Sequence, residues 1–390
     1  LTGANTYSGT TTISAGTLQI GSGGTTGTLG AGAVTDNASL VFNRSNALSV
    51  ANVIGGSGSL TQAGSGTLTL SGDNTFTGGA TVSQGTLIAA NNTALGTGTA
   101  GTTVASGATL QIDGGRTTLN NGTLTISGTG VGGVGALVGA TSGANGWGNS
   151  ITLAGNTTFT NAAGSTSLAL GAFSGFYDRS NDPGGVPVDP HTLALGSNTL
   201  TLAGSGTIYA NARITGTGNL VIDMTNPTDT VQYWANYNTY TGTTTVKNGI
   251  LQLESLYNTY PTDPTHPNWF AINGPLVVGD GTGAAGSAKV WIQSGSFYNE
   301  LMNYTTPVSL FSDGLLLVQS TQSIDTLTFT GGKVDVSSAG GLYLNGDVTV
   351  NASAGNTAVI DGSGGTLSLT IHKGAAFNPA NADQIGRAHV

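Results

Sequence analysis

Residues 66–87 read GTLTLSGDNTFTGGATVSQGTL, and this stretch decides the fold. Its first five residues alternate between small or polar and apolar side chains, a period of two that is typical of a strand with one buried face. Turn-forming residues follow at 71–74, a second short strand is predicted over 80–82, and Gly85 marks another corner. Three such strands and three corners make one coil of about two dozen residues, which is within the range of solenoid repeats.

The same pattern occurs in three copies, each starting with Asn-Thr-aromatic-hydroxyl-Gly. In each copy a Thr and a β-branched residue follow in fixed register, and then a Gly precedes two aliphatic positions. Because one coil cannot bury its apolar face alone, repeated coils are expected to stack. We predict a structural role for the positions that the copies share, which are Asn5, Gly9, Gly16, Asn74, Gly78, Gly85, Asn238, Gly242 and Gly249.

The composition of the chain fits this repeat. The 390 residues include 65 Gly, and 37% are hydrophobic, so the chain fills a thin core along an axis more easily than one thick core. β-Branched residues favour strands, while Gly and Asn favour corners. We predict an all-β fold, a right-handed, single-stranded parallel β-helix (solenoid) with loop insertions. A β-propeller is a weaker alternative, because its tight hairpin turns do not recur here.

Residues 1–384 are interpreted as one continuous β-helix repeat region. Two segments interrupt the pattern and are predicted to be loop insertions, one near residues 173–191 and one near residues 257–270. The last six residues, IGRAHV, break with the preceding pattern. We interpret residues 385–390 as a non-native tail, and a genuine short tail is the alternative.

The charge of the chain excludes some partners. It carries 18 acidic and nine basic residues, a formal net charge of −9, so it lacks the positive stripe that nucleic-acid binding needs. No apolar stretch reaches membrane-spanning length, so this segment is not expected to insert into a membrane. The absence of Cys argues against a disulfide framework and against thiolate chemistry.

Residues 66–87 resemble the autotransporter-associated β-strand repeat, also called the passenger-associated transport repeat, almost throughout. The third copy departs from the motif, because Ile250 stands where Thr is usual. The resemblance implies export and an extended passenger that is secreted or displayed at the bacterial outer membrane. It also implies a C-terminal anchor or translocator in the parent protein. It implies no catalytic residues, because the positions of the motif are structural.

Two classes of function follow from these observations. The first is a structural or adhesive passenger-type module that supports export and surface display, with glycans or host-cell-surface components as partners. A module that only extends and helps to fold a passenger is a variant of it. The second is a glycan-binding or polysaccharide-degrading β-helix, a lyase or hydrolase, which is a fold-level analogy. Its acid–base set would be Asp178, Arg179, Asp182 and His191. We do not expect an enzyme.

Oxygen-bearing side chains in the first insertion have the spacing of a calcium loop. The candidate ligands are Asp178, Ser180, Asp182 and Asp189. Pro183 stands where such a loop has its sharp-turn Gly, so a solvated loop is the competing interpretation. No other cofactor is expected.

Aromatic side chains mark a candidate ligand-binding surface. Tyr260 and Trp269 lie in the second insertion, which is rich in Pro, and Trp234 lies shortly before the third copy of the repeat. Exposed aromatic rings can stack on sugars, whereas buried rings fill a distorted core. Both interpretations of these three residues are open from the sequence.

Overall fold

A computed structural model describes residues 1–113, 122–140, 143–171, 191–234, 238–254, 270–293, 302–337, 340–351, 356–362 and 366–369. These residues divide into two compact units. The first unit contains the described residues up to 171 together with 191–200, and the second contains those from 201 onward. Each unit is a stack of short parallel strands.

The first unit begins at the N-terminal strand and is built from strands of two to eleven residues. These strands are β1 (Thr11–Ile13), β2 (Thr17–Ile20), β3 (Val34–Asp36), β4 (Ser39–Phe42), β5 (Leu48–Val50), β6 (Ile54–Gly55), β7 (Ser59–Gln62), β8 (Thr67–Leu70), β9 (Ala80–Val82), β10 (Thr86–Ala89), β11 (Thr102–Val104), β12 (Thr109–Ile112), β13 (Leu124–Gly128), β14 (Leu137–Gly139), β15 (Ala144–Trp147), β16 (Ile151–Asn161), β17 (Ser167–Leu170) and β18 (Thr192–Ala194). A single 3-10 turn, Val131–Gly133, lies between β13 and β14 in this described part.

The second unit has the same construction. Its strands are β19 (Leu200–Gly204), β20 (Thr207–Ala210), β21 (Arg213–Thr215), β22 (Leu220–Met224), β23 (Thr230–Trp234), β24 (Thr244–Glu254), β25 (Leu276–Val278), β26 (Ala288–Ile292), β27 (Val308–Leu310), β28 (Gly314–Val318), β29 (Thr321–Ile324), β30 (Leu327–Phe329), β31 (Gly332–Val336), β32 (Gly341–Leu344), β33 (Val348–Val350), β34 (Ala358–Asp361) and β35 (Thr366–Leu369). Residue Leu200 is the last of the first unit.

The alternating sequence of β8 explains how a coil packs. β8 pairs in parallel with β5 on one side and with β10 on the other, so Leu68 lies in register with Leu48 and Leu87. Leu68 and Leu87 are at most 1% exposed, while the alternate residues Thr67 and Thr69 face outward. Each fully buried Leu contributes roughly 1.5–3 kcal/mol. Stacked inward residues therefore form the continuous thin core that the composition requires.

Outward positions stack in the same register. Parallel pairing of β7, β9, β11, β13 and β16 aligns a column of outward threonines, Thr61, Thr81, Thr103, Thr125 and Thr152. Cross-strand Thr pairs and β-branched side chains stabilise a pleated surface. The same pleat therefore serves the core on one face and solvent on the other.

A long strand turns a corner in the second unit. β24 is 11 residues long, and its first part, Thr244 to Val246, pairs with β25, while its second part, Gly249 to Leu253, pairs with β26. The described strands are paired in parallel, which confirms the predicted all-β parallel solenoid. That residues 1–384 form one continuous repeat region stays a prediction. The insertions lie outside the described residues except for His191 and Phe270, and so does the tail at 385–390.

Candidate functional site

The Asn that opens each repeat copy joins neighbouring coils. The Asn74 side chain is fully buried, and its Oδ1 accepts a hydrogen bond from the backbone N–H of Ile54 at 2.9 Å. Its Nδ2 donates to the carbonyl oxygen of Ala94 at 2.7 Å. Both partners are 20 residues away, one earlier and one later. An amide has a donor and an acceptor on one planar group, so Asn satisfies two buried backbone groups in two different coils.

Asn238 makes both contacts in the third copy, and Asn5 makes the contact with the following coil in the first. Asn238 Oδ1 accepts from Ile214 N–H at 2.7 Å, and its Nδ2 donates to the Ala271 carbonyl oxygen at 3.1 Å. Asn5 Nδ2 donates to the Thr28 carbonyl oxygen at 2.7 Å. The following partner lies 23, 20 and 33 residues after the Asn in the three copies. The contact therefore persists although the intervening loop changes length.

An aromatic residue two positions after the Asn also has a fixed partner. Tyr240 is fully buried, and its hydroxyl is hydrogen-bonded to the Thr244 hydroxyl at 2.6 Å. Phe76 takes the same position in the second copy and is 1% exposed. In every copy, the residue four positions after the aromatic residue has a hydroxyl only where the ring has one. The pairs are Tyr7 with Thr11, Phe76 with Ala80, and Tyr240 with Thr244. A hydroxyl partner is present where the ring bears a hydroxyl, because a buried hydroxyl needs a partner.

Replacing Tyr240 with Phe is expected to lower the free energy of unfolding of the second unit by about 1–2 kcal/mol, because the buried Thr244 hydroxyl loses its partner. The double variant Tyr240→Phe/Thr244→Ala restores the combination found at residues 76 and 80 and should recover most of the loss. Urea unfolding of the single and double variants measures the coupling. The matched control is Tyr7→Phe, which removes an exposed bond and should change little. Additive effects of the two second-unit substitutions would contradict this pairing.

A Gly in the second and third repeat copies lies directly against the preceding coil. A methyl group at Gly78 would lie 2.5 Å from the carbonyl oxygen of Gly58, and one at Gly242 would overlap the carbonyl oxygen of Gly218. At Gly9, the same position in the first copy, no atom lies within 4 Å. The absence of a Cβ therefore allows backbone to pack on backbone where two coils meet at this corner.

The Gly that precedes the third strand of the repeat turns the chain. The φ angle is +72° at Gly16, +64° at Gly85 and +93° at Gly249. Residues with a Cβ rarely adopt this left-handed region. The recurrence of Gly at this position therefore reflects the backbone conformation of one corner.

Two buried carboxylates lie outside the repeat motif, and one of them is fully bonded. Asp313 is fully buried, and its carboxylate accepts hydrogen bonds from the backbone N–H groups of Gly281 at 2.8 Å and Gly283 at 3.2 Å. These bonds hold the loop that follows β25. No group of three or more His, Cys, Asp or Glu that could hold a metal ion occurs among the described residues.

Asp36 is the second buried carboxylate, at the inward end of β3 in register with Ile13 of β1. Its Oδ1 accepts from the backbone N–H of Ala38 at 3.0 Å, but Oδ2 has no hydrogen-bond partner. Burial raises the pKa of Asp36 above its ordinary value of 3.8, and the bond from Ala38 opposes this only in part. The charged form of Asp36 is thus disfavoured inside the first unit.

Replacing Asp36 with Asn is expected to raise the free energy of unfolding of the first unit at pH 7. The folded-state pKa lies above the unfolded one, so the folded state binds more protons between the two values. Stability therefore falls as the pH rises from about 3.9 through the folded pKa, and Asn removes this loss. Urea unfolding at pH 4 to 7 measures it, with the exposed Asp73→Asn as control. A lower free energy of unfolding for Asp36→Asn than for the unsubstituted chain at pH 7 would contradict this explanation of the pH dependence.

The described residues contain few of the residues that the sequence analysis selected for ligands. Trp234 ends β23, where its backbone pairs with Glu254 of β24. His191 directly precedes β18. The remaining candidates lie outside the described residues, namely the calcium ligands Asp178, Ser180, Asp182 and Asp189, the aromatic residues Tyr260 and Trp269, and Arg179. Those assignments stay predictions.

Sequence reasoning missed a set of outward side chains in the second unit. We call them the outer strip, and they come from β24, β26 and β28 as Ile250, Gln252, Lys289, Trp291, Leu315 and Leu317. All six are half-buried and alternate with inward residues of the core. The sequence did contain a signal for this surface. These strands have apolar residues at consecutive positions, whereas a strand with one solvated face alternates between apolar and polar residues.

The three repeat copies coincide with matches to one protein-family model, described as Passenger-associated-transport-repeat. The model matches residues 1–20, 60–89 and 235–253. The chain contains passenger-associated transport repeats. Each transport repeat in it contains the Asn, the aromatic residue and the two Gly positions described above.

One curated relative shares part of the sequence. Adhesin BmaC autotransporter of Brucella suis biovar 1 (strain 1330) is 48% identical over 58 residues. The match covers 15% of this chain and 2% of the adhesin, so the transport-repeat chain corresponds to a small part of that relative. No solved structure matches the chain. In the described part of the chain, no helix is long and apolar enough to cross a membrane.

Proposed function

We propose that this chain is a structural and adhesive passenger-type module of a secreted or surface-displayed bacterial protein. The observation that carries the proposal is the Asn bond between coils, repeated in matched copies of the transport repeat. The similarity to an autotransporter adhesin supports the same function. The module would support export and present binding surfaces away from the cell.

The contacts of the repeat suit a chain that leaves a cell one coil at a time. Asn74 Oδ1 pairs with the coil that precedes it, and Nδ2 is satisfied only when the coil containing Ala94 has formed. Because each coil contacts mainly its neighbours, folding can propagate along the axis from any formed coil. Stacking would then produce a rigid scaffold as the chain emerges.

The partners of this module are proposed to be glycans or other components of a host or cell surface, reached by a parent with a C-terminal anchor or translocator. The net charge of −9 supports the absence of a nucleic-acid partner. We propose no catalytic role, because the shared repeat positions are explained by packing and backbone bonds. Calcium at residues 178–189 stays a proposal that titration of the purified chain can test.

The adhesive function is tested by fusing the chain to an outer-membrane anchor and counting bacteria that adhere to cultured cells. We expect more adherence than with the anchor alone. The variant Asn74→Ala/Asn238→Ala should lose both adherence and resistance to protease, because the bonds between its neighbouring coils are missing. Equal adherence of the fusion and the anchor alone would contradict the proposal. Release of reducing ends from a polysaccharide, abolished by Asp182→Ala, would instead establish the enzyme alternative.

A further inference from the structure

Two residues of the outer strip are held by hydrogen bonds to glutamines that directly follow β26 and β28. The indole Nε1 of Trp291 donates to Gln319 Oε1 at 2.8 Å, and Gln252 Nε2 donates to Gln293 Oε1 at 2.8 Å. Gln252 and Trp291 lie in register on neighbouring strands, and Leu317 lies in register on the next strand. These bonds fix the indole edge and leave its ring between an amide and an aliphatic side chain.

The fold itself does not require apolar side chains at these positions. In the first unit the outward positions of β8 and β10 hold three threonines and one apolar residue, Thr67, Thr69, Thr86 and Ile88, and these strands pair and bury their core in the same way. Ile250 occupies the position that Thr86 has in its copy of the repeat. Single outward apolar residues are normal on a protein surface, but in the outer strip they lie together on three neighbouring strands, which favours a surface that binds a ligand.

The dimensions of the strip restrict what covers it. Three strands spaced about 4.8 Å apart, with two outward positions roughly 7 Å apart on each, give an area on the order of 150 Å². A stable protein interface needs about 800 Å² per partner, so neither a second copy of this chain nor a folded protein is held by this strip alone. A narrow, extended chain fits the area.

The charges around the strip restrict the ligand further. Lys289 is the one charged side chain among the six residues of the strip. On the next strand Lys333 Nζ lies 2.8 Å from Asp335 and 3.0 Å from Asp361, so those charges are satisfied by one another. A polyanion needs several unpaired cations, whereas an uncharged chain needs none. The strip is therefore complementary to a neutral ligand.

We infer that the outer strip binds a neutral glycan chain. The C–H face of a pyranose ring would stack on the Trp291 indole, and Leu315 and Leu317 would contact the adjoining sugar. Hydroxyl groups at the ring edge would bond to the amides of Gln252 and Gln319, an apolar platform with a few placed polar groups being the usual form of such sites. This assignment deepens the proposed adhesive function and rests on it.

The test uses Thr substitutions, because Thr holds most of the outward positions of β8 and β10 in the first unit and favours strands. The full chain is titrated calorimetrically with neutral polysaccharides (mixed-linkage β-glucan, xyloglucan and dextran) and with the polyanions polygalacturonate and heparin. We expect binding of at least one neutral glycan, weakened at least tenfold in Trp291→Thr, which corresponds to about 1.4 kcal/mol. Leu317→Thr should weaken it less, and Trp291→Phe should retain much of it.

The matched control is Val277→Thr, an outward residue of β25 in the same unit that lies outside the strip. Its binding should equal that of the unsubstituted chain. Circular dichroism checks that every variant keeps its strand content, and the retained ring of Trp291→Phe separates loss of stacking from loss of folding. Equal affinity of Trp291→Thr and the unsubstituted chain, binding of polyanions alone, or no binding of neutral glycans would each overturn the inference.

Adherence of displayed variants separates this inference from the proposed function. If Trp291→Thr loses adherence and Val277→Thr keeps it, the strip is the adhesive surface. If the unsubstituted chain adheres and Trp291→Thr adheres equally, the assignment of the strip is wrong while the adhesive function stands. If the unsubstituted chain does not adhere, the proposed function itself is wrong.

Discussion

Replacing Asn74 with Ala is expected to lower the free energy of unfolding of the first unit by about 3–5 kcal/mol. The substitution leaves the Ile54 N–H and the Ala94 carbonyl oxygen without partners in the core, and each unpaired buried group costs about 1–3 kcal/mol. The loss also removes one link between this coil and each of its neighbours. Urea unfolding measures the total, and amide hydrogen exchange at Ile54 should accelerate.

The Asp variant at the same position sharpens the test. Asn74→Asp keeps an acceptor for Ile54 N–H but replaces the donor to Ala94 with an oxygen, so it should destabilise the unit at pH 7 as well. Asn91→Ala is the control, because Asn91 is a half-buried Asn near a corner whose Nδ2 bond to Asp73 is exposed and whose Oδ1 accepts only from Thr93 in the same turn. A loss below about 1 kcal/mol in Asn74→Ala would show that water replaces its bonds.

The parallel solenoid was predictable because one stretch contains every element of a coil. The alternation over residues 66–70 marks the inward positions, and Leu68 and Leu70 are indeed buried. The recurrence of the pattern then implies stacking, since the apolar face of one coil has no other partner. Register follows too, because equivalent leucines of successive coils occupy the same rung.

The hydrogen-bond partners of the recurring positions could not be predicted in the same way. The sequence shows that Asn recurs at residues 74 and 238, but the bonds to Ile54 and Ala271 join segments whose separation depends on loop length. The Tyr240 and Thr244 pairing could have been found, since the hydroxyl on the ring and the hydroxyl four residues later are present or absent together. Comparing the three copies column by column supplies that signal.

The buried Asp36 and the outward apolar residues were not predicted from the sequence, for a different reason. Alternation placed Asp36 among inward positions of a Val-Thr-Asp strand, but acidic residues in short strands are normally taken to mark an exposed end. The outer strip lies on strands that are apolar on both faces. Such a pattern does not show which face is inward. Only the pairing of β24, β26 and β28 shows that Trp291 and Leu317 share the outward face.

Replacing Gly78 with Ala is expected to lower the free energy of unfolding of the first unit by about 2–4 kcal/mol. The added methyl group would lie 2.5 Å from the Gly58 carbonyl oxygen and 2.6 Å from the Gly58 carbonyl carbon, so backbone must move in one coil or the other. Gly9 occupies the same motif position without an atom within 4 Å. Gly9→Ala should therefore change stability by less than about 0.5 kcal/mol, as measured by urea unfolding.

The corner at Gly85 separates crowding from backbone strain. Gly16 and Gly85 both have positive φ, so an Ala at either position suffers the left-handed strain of about 1–2 kcal/mol. Only at Gly85 would the methyl group also meet the preceding coil, 2.5 Å from the Gly64 carbonyl oxygen. The loss of unfolding free energy should be larger in Gly85→Ala than in Gly16→Ala. The difference should be similar to that between the losses in Gly78→Ala and Gly9→Ala. Equal losses at Gly16 and Gly85 would mean that the contact between coils relaxes freely, and the tight stacking of the repeat would then contribute little to its stability.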